Sequence, residues 1–407
     1  MARSKPIERL VFGRSAYDIK GSNVGVIATS VVRERDLDAF TGGPDYNLRW
    51  GKNKYNLSGH WLATRAPIEG VMRTGFGGLT NFSYDTKHIN VWAHADHFGR
   101  HFRNSDLGFL SSRTNKNDIS GSVGLSQPDP WGPFRNVNGG AGFGQQWTGE
   151  RLVFGRSAYG NLNATFRNYW YLGGGYTREF TRLDDLDTRG GPPIVQPASN
   201  RFNVGIWSDG RKRWGGNISF NSFRDAGGSW QRSIGSSFRI QPSDRLQANL
   251  SANYTFARDA AQWVKNADLD GDGVNEHIYG RLKRNVLNLT GRATYSFHRD
   301  MTLEAYLQPF VAVGDYSDIR RLALPRSFEF APVSIADDPD FNNKSLRGTI
   351  VMRWEYLRGS TLFLVWNVAT SDSSREGEFS ALRDLRTGFS APGTHVFVAK
   401  MSYWFTP

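Results

Sequence analysis

Arg245 to Arg258 reads RLQANLSANYTFAR, and at a period of two it divides cleanly. Leu246, Ala248, Leu250, Ala252, Tyr254 and Phe256 share one face, and Gln247, Asn249, Ser251, Asn253 and Thr255 share the other. The pattern recurs. Leu287, Leu289, Gly291, Ala293, Tyr295 and Phe297 stand against Asn288, Thr290, Arg292, Thr294 and Ser296. Leu346, Gly348, Ile350, Met352, Trp354 and Tyr356 stand against Arg347, Thr349, Arg353 and Glu355. A soluble sandwich puts its polar face in bulk water and favours Lys and Glu there. A face of Asn, Ser, Thr and Arg suits a wet barrel lumen, with the apolar face toward lipid.

The last such segment, Thr394 to Phe405 (THVFVAKMSYWF), has Phe397, Ala399, Met401, Tyr403 and Phe405 on one face and Val398, Lys400 and Ser402 on the other. About 18 strand-like segments are legible in all, with essentially no helix. Counted back from the C-terminus, short breaks at 357–359, 298–300, 241–244 and 209–212 alternate with long ones at 371–392, 315–344, 259–276 and 182–200; the break at 225–229 is of modest length. Such alternation predicts an up-and-down antiparallel transmembrane β-barrel of about 16 to 18 strands, with short periplasmic turns and long extracellular loops. Residues 1–407 then make one barrel domain, with Phe405 at the periplasmic end.

Composition agrees. The 407 residues include 45 Gly, 27 Phe, 15 Tyr and 13 Trp, and mean hydropathy is −0.51. No segment approaches the roughly 20 apolar residues of a membrane helix, but a barrel inserts without one, because only alternate residues meet lipid. There is no Cys, which removes disulfides and thiolate metal sites. The net charge of +12 is dispersed, and no nucleic-acid motif accompanies it, so nucleic acid is not an expected partner. The opening MARSKPIERL has no apolar h-region. ERLVFGRSAY occurs twice, at Glu8 to Tyr17 and Glu150 to Tyr159; the pair reads as a local duplication or joining artefact rather than a functional motif.

Six stretches carry a family resemblance: SLRGTIVMRWEYLRGSTLFLVWNVATSD (Ser345 to Asp372), HVFVAKMSYWFTP (His395 to Pro407), YLQPFVAVGDYSD (Tyr306 to Asp318), TFRNYWYLGGGYTREF (Thr165 to Phe180), SNVGVIATSVVRERD (Ser22 to Asp36) and SDLGFL (Ser105 to Leu110). They resemble the C-terminal barrel of the domain of unknown function family 5916. The resemblance covers nearly all of the chain and implies a bacterial outer-membrane protein. Longer members carry an N-terminal carbohydrate-binding-like β-sandwich ahead of the barrel. A signal peptide, that sandwich and the first barrel strands are therefore expected upstream, with this chain as a C-terminal fragment. The family brings no activity that maps onto individual residues.

Among chemistry-bearing motifs, Asp268, Asp270 and Asp272 with Gly273 form a DxDxDG loop whose alternate carboxylates suit Ca²⁺ within 268–276. Tyr279 stands at the twelfth position in place of the bidentate Glu, so an EF-hand is not expected; the plain alternative is a solvated acidic loop. His94, Asp96, His97 and His101 read as polar lumen residues rather than a metal site, since His97 points away from His94 and Asp96 on a strand. Asp184, Asp185 and Asp187, and likewise Asp337, Asp338 and Asp340, read as solvated loop charges. The Asn-x-Ser/Thr sites at Asn56, Asn163, Asn217, Asn249 and Asn288 follow from period-two placement on one strand face. No nucleophile elbow, P-loop or dinucleotide fingerprint occurs, and no enzymatic activity is expected.

Arg292, Arg347, Arg353 and Lys400 are the candidate lumen cations, read either as an anion-favouring wall or as a structural ladder with Glu304 and Glu355. Met401, Tyr403 and Phe405 resemble the C-terminal signal by which barrel assembly machinery recognises its substrates, although Thr406 and Pro407 follow the last aromatic. The expected partners are outer-membrane lipid, that machinery and a hydrophilic solute, glycan-derived in view of the sandwich expected upstream. The leading function is passage of such a solute; a structural or secretion barrel and a soluble carbohydrate-active β-protein are the alternatives.

Overall fold

The computed structural model describes residues 9–33, 37–103 and 113–405. Period-two sequences form strands throughout, and twenty of the strands belong to one hydrogen-bonded antiparallel sheet. The chain divides into two compact units: Met1–Trp131, Asn136–Leu162 and Thr177–Leu183 form the first, and Gly132–Arg135, Asn163–Tyr176 and Asp184–Pro407 the second.

In the first unit, consecutive strands pair antiparallel as a meander: β1 (Arg9–Ile19), β2 (Ser22–Val32), β3 (Ala39–Trp50), β4 (Tyr55–Ile68), β5 (Val71–Asp85), β6 (Ile89–Phe98), β7 (Lys116–Gln127) and β8 (Phe134–Trp147). The β4–β5 connection is a two-residue turn in which Glu69 (φ 50°) and Gly70 (φ 78°) are both left-handed. A turn of that hand matches the twist of paired strands, and Gly adopts it without steric cost. Among the described residues of this unit, a small buried apolar cluster comprises Val31, Ala39 and Ala66.

After β9 (Val153–Phe166), β10 (Tyr171–Glu179) and the two-stranded pair β11 (Arg182–Asp184) and β12 (Ile194–Gln196), the second unit repeats the meander. Its strands are β13 (Ser199–Trp207), β14 (Trp214–Asp225), β15 (Trp230–Ser243), β16 (Leu246–Ala267), β17 (Glu276–His298), β18 (Met301–Leu322), β20 (Phe341–Leu357), β21 (Ser360–Ser374) and β22 (Gly393–Ser402), with the short β19 (Phe330–Pro332) on the far end of β18. Turns at 208–213, 244–245, 299–300 and 358–359 alternate with connections at 226–229, 268–275, 323–340 and 375–392, of which 226–229 is shorter than the turn at 208–213.

Four expectations need correction. The sheet has twenty strands rather than 16 to 18: β1, set aside as a duplicated segment, pairs with all of β2, and β19 forms inside a connection read as loop. The chain also has a helix, α1 (Ala381–Ser390), within the last long connection. The loop read from Asp259 to Glu276 shrinks to 268–275, because β16 and β17 stay paired to Ala267 and Glu276 through two irregularities. Finally, β22 stops at Ser402, short of Tyr403 and Phe405, and all ten of its residues are exposed, so neither face is covered. The SDLGFL stretch lies outside the described residues.

Candidate functional site

Strands β17, β18, β20, β21 and β22 align the polar positions in cross-strand rows. In one row Arg292 lies opposite Tyr306, which lies opposite Thr349 and then Asn367. The Arg292 guanidinium sits 5.1 Å from the Tyr306 ring centre, and Thr349 Oγ1 donates to Asn367 Oδ1 at 2.8 Å. The Tyr306 hydroxyl donates to Gln308 Oε1 at 2.7 Å, and Gln308 Nε2 donates to Asn288 Oδ1 at 3.3 Å. This face therefore carries a hydrogen-bonded patch with further capacity for water or hydroxyls, interrupted toward β22 by Val351, Phe363, Val365, Val396 and Val398.

The four candidate cations do not converge. Arg353 and Lys400 share a row through Phe363, two strand spacings or about 9.5 Å apart. Arg347 lies in another row, opposite Gln308, and is exposed. Arg353 pairs with Glu355 at 3.4 Å, whereas Glu304 lies opposite Val351 rather than opposite either arginine. One rung of the expected ladder is present, and the rest is a dispersed positive wall.

At the far ends of β16 to β18 a cap of loops is built. Tyr279 is fully buried, and its hydroxyl donates to Asp187 Oδ2 at 2.9 Å. Asn266 Nδ2 donates to the Thr188 carbonyl, and Arg189 lies 3.5 Å over the Trp263 ring. Ile194 and Ile278 are buried with them. Burial raises the Asp187 carboxyl above its usual range, opposed by the Tyr279 hydrogen bond and by Arg189 and reinforced by Asp184. Asp187, read as a solvated charge, is thus a docking residue; Tyr279 is 92 positions away, so no local pattern signals the contact.

The DxDxDG loop closes on itself. The carboxylates of Asp268, Asp270 and Asp272 lie within 4.8 Å of one another. Asp268 accepts from the Gly271 and Gly273 amides at 2.7 and 2.9 Å, with both glycines at positive φ. The three carboxylates are exposed, and one oxygen from each can reach a common hard cation. Tyr279 cannot complete the shell, since its hydroxyl is spent on Asp187.

In the first unit His94 contacts Asn81 and, at 3.3 Å, Asp96, while Lys116 Nζ lies 2.8 Å from Asp96; His97 contacts Asn117 instead. Asp96 is thus paired with lysine.

The opposite face of the second unit is apolar. A cavity of about 810 Å³ crosses it from β13 to β18, walled by Ile206, Trp214, Phe238, Leu250, Leu289 and Leu307 over a floor of Gly216, Ser236, Ala252 and Gly291. Leu250 is 62% exposed and Ile218 60%. Met401, Tyr403 and Phe405 are likewise exposed, with the last two rings 6.2 Å apart.

The family described as Domain of unknown function (DUF5916) matches residues 17–406. No curated protein matches the chain. Among solved structures, the outer-membrane expressed OmpT of Vibrio cholerae is similar over 88% of this chain and 90% of that chain, at 10% identity and a TM-score of 0.27.

Proposed function

From its membership of the DUF5916 family, to which the chain belongs, we propose that residues 1–407 form a bacterial outer-membrane β-barrel that passes a hydrophilic solute without covalent chemistry. The observation that carries the reading is surface area. The protein exposes 24896 Å², whereas a soluble monomer of 45.7 kDa exposes roughly 16,000 Å². Part of the excess is the exposed apolar face that carries Ile218, Ile234, Leu250 and Phe238, which lipid would cover and water would not. The polar rows around Arg292, Arg347, Arg353 and Lys400 then line the lumen and favour anions over cations.

In the same reading, acyl chains occupy the apolar cavity between β13 and β18. Met401, Tyr403 and Phe405 serve recognition by the assembly machinery, for which their exposure suits them. The 268–276 loop takes Ca²⁺ through Asp268, Asp270 and Asp272, as an ordering ion on the outer side.

Reconstitution tests the reading. Stepwise conductance in planar bilayers, together with slower electrophoretic migration after boiling, is the expected result. A heat-modifiable species that never conducts favours the structural or assembly role, and a detergent-independent soluble monomer overturns the barrel.

A further inference from the structure

Charge that is dispersed along the sequence is sorted by the topology of the second unit. Alternate connections of an antiparallel meander lie at the same end of the sheet, so the turns at 167–170, 208–213, 244–245, 299–300 and 358–359 share one end. Ring contacts join two of them: Tyr169 lies between Arg135 and Arg211, whose guanidiniums sit 4.2 and 3.1 Å from its ring centre. These five turns hold seven basic side chains against three aspartates. The segments at the other end, 184–198, 226–229, 268–275, 323–340 and 375–392, hold thirteen carboxylates against five basic side chains.

Little of the basic charge is spent internally. Asp209 is buried and held by Arg211 through hydrogen bonds of 2.9 and 2.8 Å. Arg299 lies 3.4 Å from Asp300, yet its side chain is 92% exposed. Arg167, Arg245 and Arg358 are exposed and form no ion pair among the described residues. Beside these cations the apolar face ends in aromatic rings. Trp170 and Trp214 adjoin the first two turns, Tyr295 and Trp354 stand four residues before the last two, and all four are more than a third exposed. Rings with an apolar body and a polar edge, followed by arginines, match a boundary between hydrocarbon and charged headgroups. A guanidinium presents forked donors that suit phosphate oxygens. The cations also recur with each hairpin, about 9.5 Å apart along the sheet, instead of gathering in one patch. That spacing fits a row of separate anions at the rim of an apolar face better than a single acidic protein surface.

We propose that the short-turn end of the second unit recognises the anionic phosphodiester headgroups of phospholipid, of the phosphatidylglycerol class, in the leaflet it meets. The acidic end repels the same headgroups, so charge tells the two leaflets apart. The proposal rests on the membrane reading and adds the headgroup to it. Contact with lipid and selection among headgroups are separate observables, so the two failures are distinguishable.

The experiment reconstitutes the full chain in phosphatidylcholine bilayers and records electron spin resonance spectra of chain-labelled phosphatidylglycerol and, separately, chain-labelled phosphatidylcholine. The motionally restricted fraction measures lipid at the protein surface. Phosphatidylglycerol is expected there in about threefold or greater preference at low salt. The preference is expected to vanish in about 1 M salt, where screening acts over about 3 Å. The triple variant Lys212→Gln, Arg299→Gln, Arg358→Gln is expected to lose about half or more of it. Arg326→Gln, Arg375→Gln, Arg386→Gln, an equal charge change at the acidic end, is expected to keep it. Heat-modifiable migration confirms that each variant is folded, and the salt titration of the unaltered chain decides the matter should a variant fail to fold. A restricted fraction that takes both lipids equally, a preference indifferent to salt, or equal loss in the two folded variants overturns the proposal and leaves the membrane reading standing. Absence of any restricted fraction overturns both. Saturable capture of soluble poly-L-glutamate without a phosphatidylglycerol preference assigns this end to an acidic protein and likewise overturns the proposal.

Discussion

Asp384 shows how one residue holds an element in place. It is fully buried, accepts from the Ser380 amide at 2.8 Å and from Arg383 Nε at 3.0 Å, and faces Asn342 Nδ2 at 3.4 Å. Removing it orphans the buried Asn342 amide group and the start of α1 together. Asp384→Ala is expected to cost about 1.5 to 3 kcal/mol of local stability, read as faster proteolysis of the 375–392 connection with the rest of the chain unchanged. Asp187 behaves differently because its pKa is raised. Its buried carboxyl is disfavoured once ionised, so the penalty is absent below the unfolded value near 4 and grows as pH rises through the raised one. Docking of 182–198 therefore weakens from about pH 4 upward. Exchange protection of the Val195 amide, which donates to Ser327 O at 3.1 Å, should fall over that range after correction for intrinsic rates. Asp187→Asn should abolish the dependence. Tyr279→Phe removes the one opposing hydrogen bond, so it should loosen the loop further and push the transition to higher pH.

At the scale of elements, period-two patterning was sufficient for the strands, because each strand shows its two faces locally. Leu246 to Phe256 alternates without interruption, and β16 forms there. Identity between two segments, by contrast, concealed β1: Arg9 to Tyr17 repeats Arg151 to Tyr159, and both copies supply strand residues. Helix α1 was missed because its ten residues, ALRDLRTGFS, gain helicity from docking rather than propensity. Thr370 Oγ1 donates to the Gly388 carbonyl at 2.6 Å, and a Cβ on Gly388 would lie 3.5 Å from that of Lys344; neither contact is visible in a local window. In the acidic loop the clustering of three carboxylates was legible, since Asp268, Asp270 and Asp272 lie within five residues. Its incomplete shell sets the expected affinity for Ca²⁺ at about 10⁻⁴ to 10⁻³ M, the range of weak extracellular modules. Calorimetry with the full chain should find that affinity, and Asp270→Asn should weaken it at least tenfold.

For the whole molecule, the proposed barrel requires a sheet with one wet face and one lipid face. The chain contains no Cys, so single cysteines can carry nitroxide labels without background. The measurement is spin-label accessibility at consecutive positions 247 to 254 in liposomes, comparing dissolved oxygen, which concentrates in lipid, with a water-soluble nickel chelate. Opposite phases with a period of two are expected: Leu250, Ala252 and Tyr254 reached by oxygen, and Asn249, Ser251 and Asn253 reached by nickel. Equal access of the nickel chelate to both sets would contradict it.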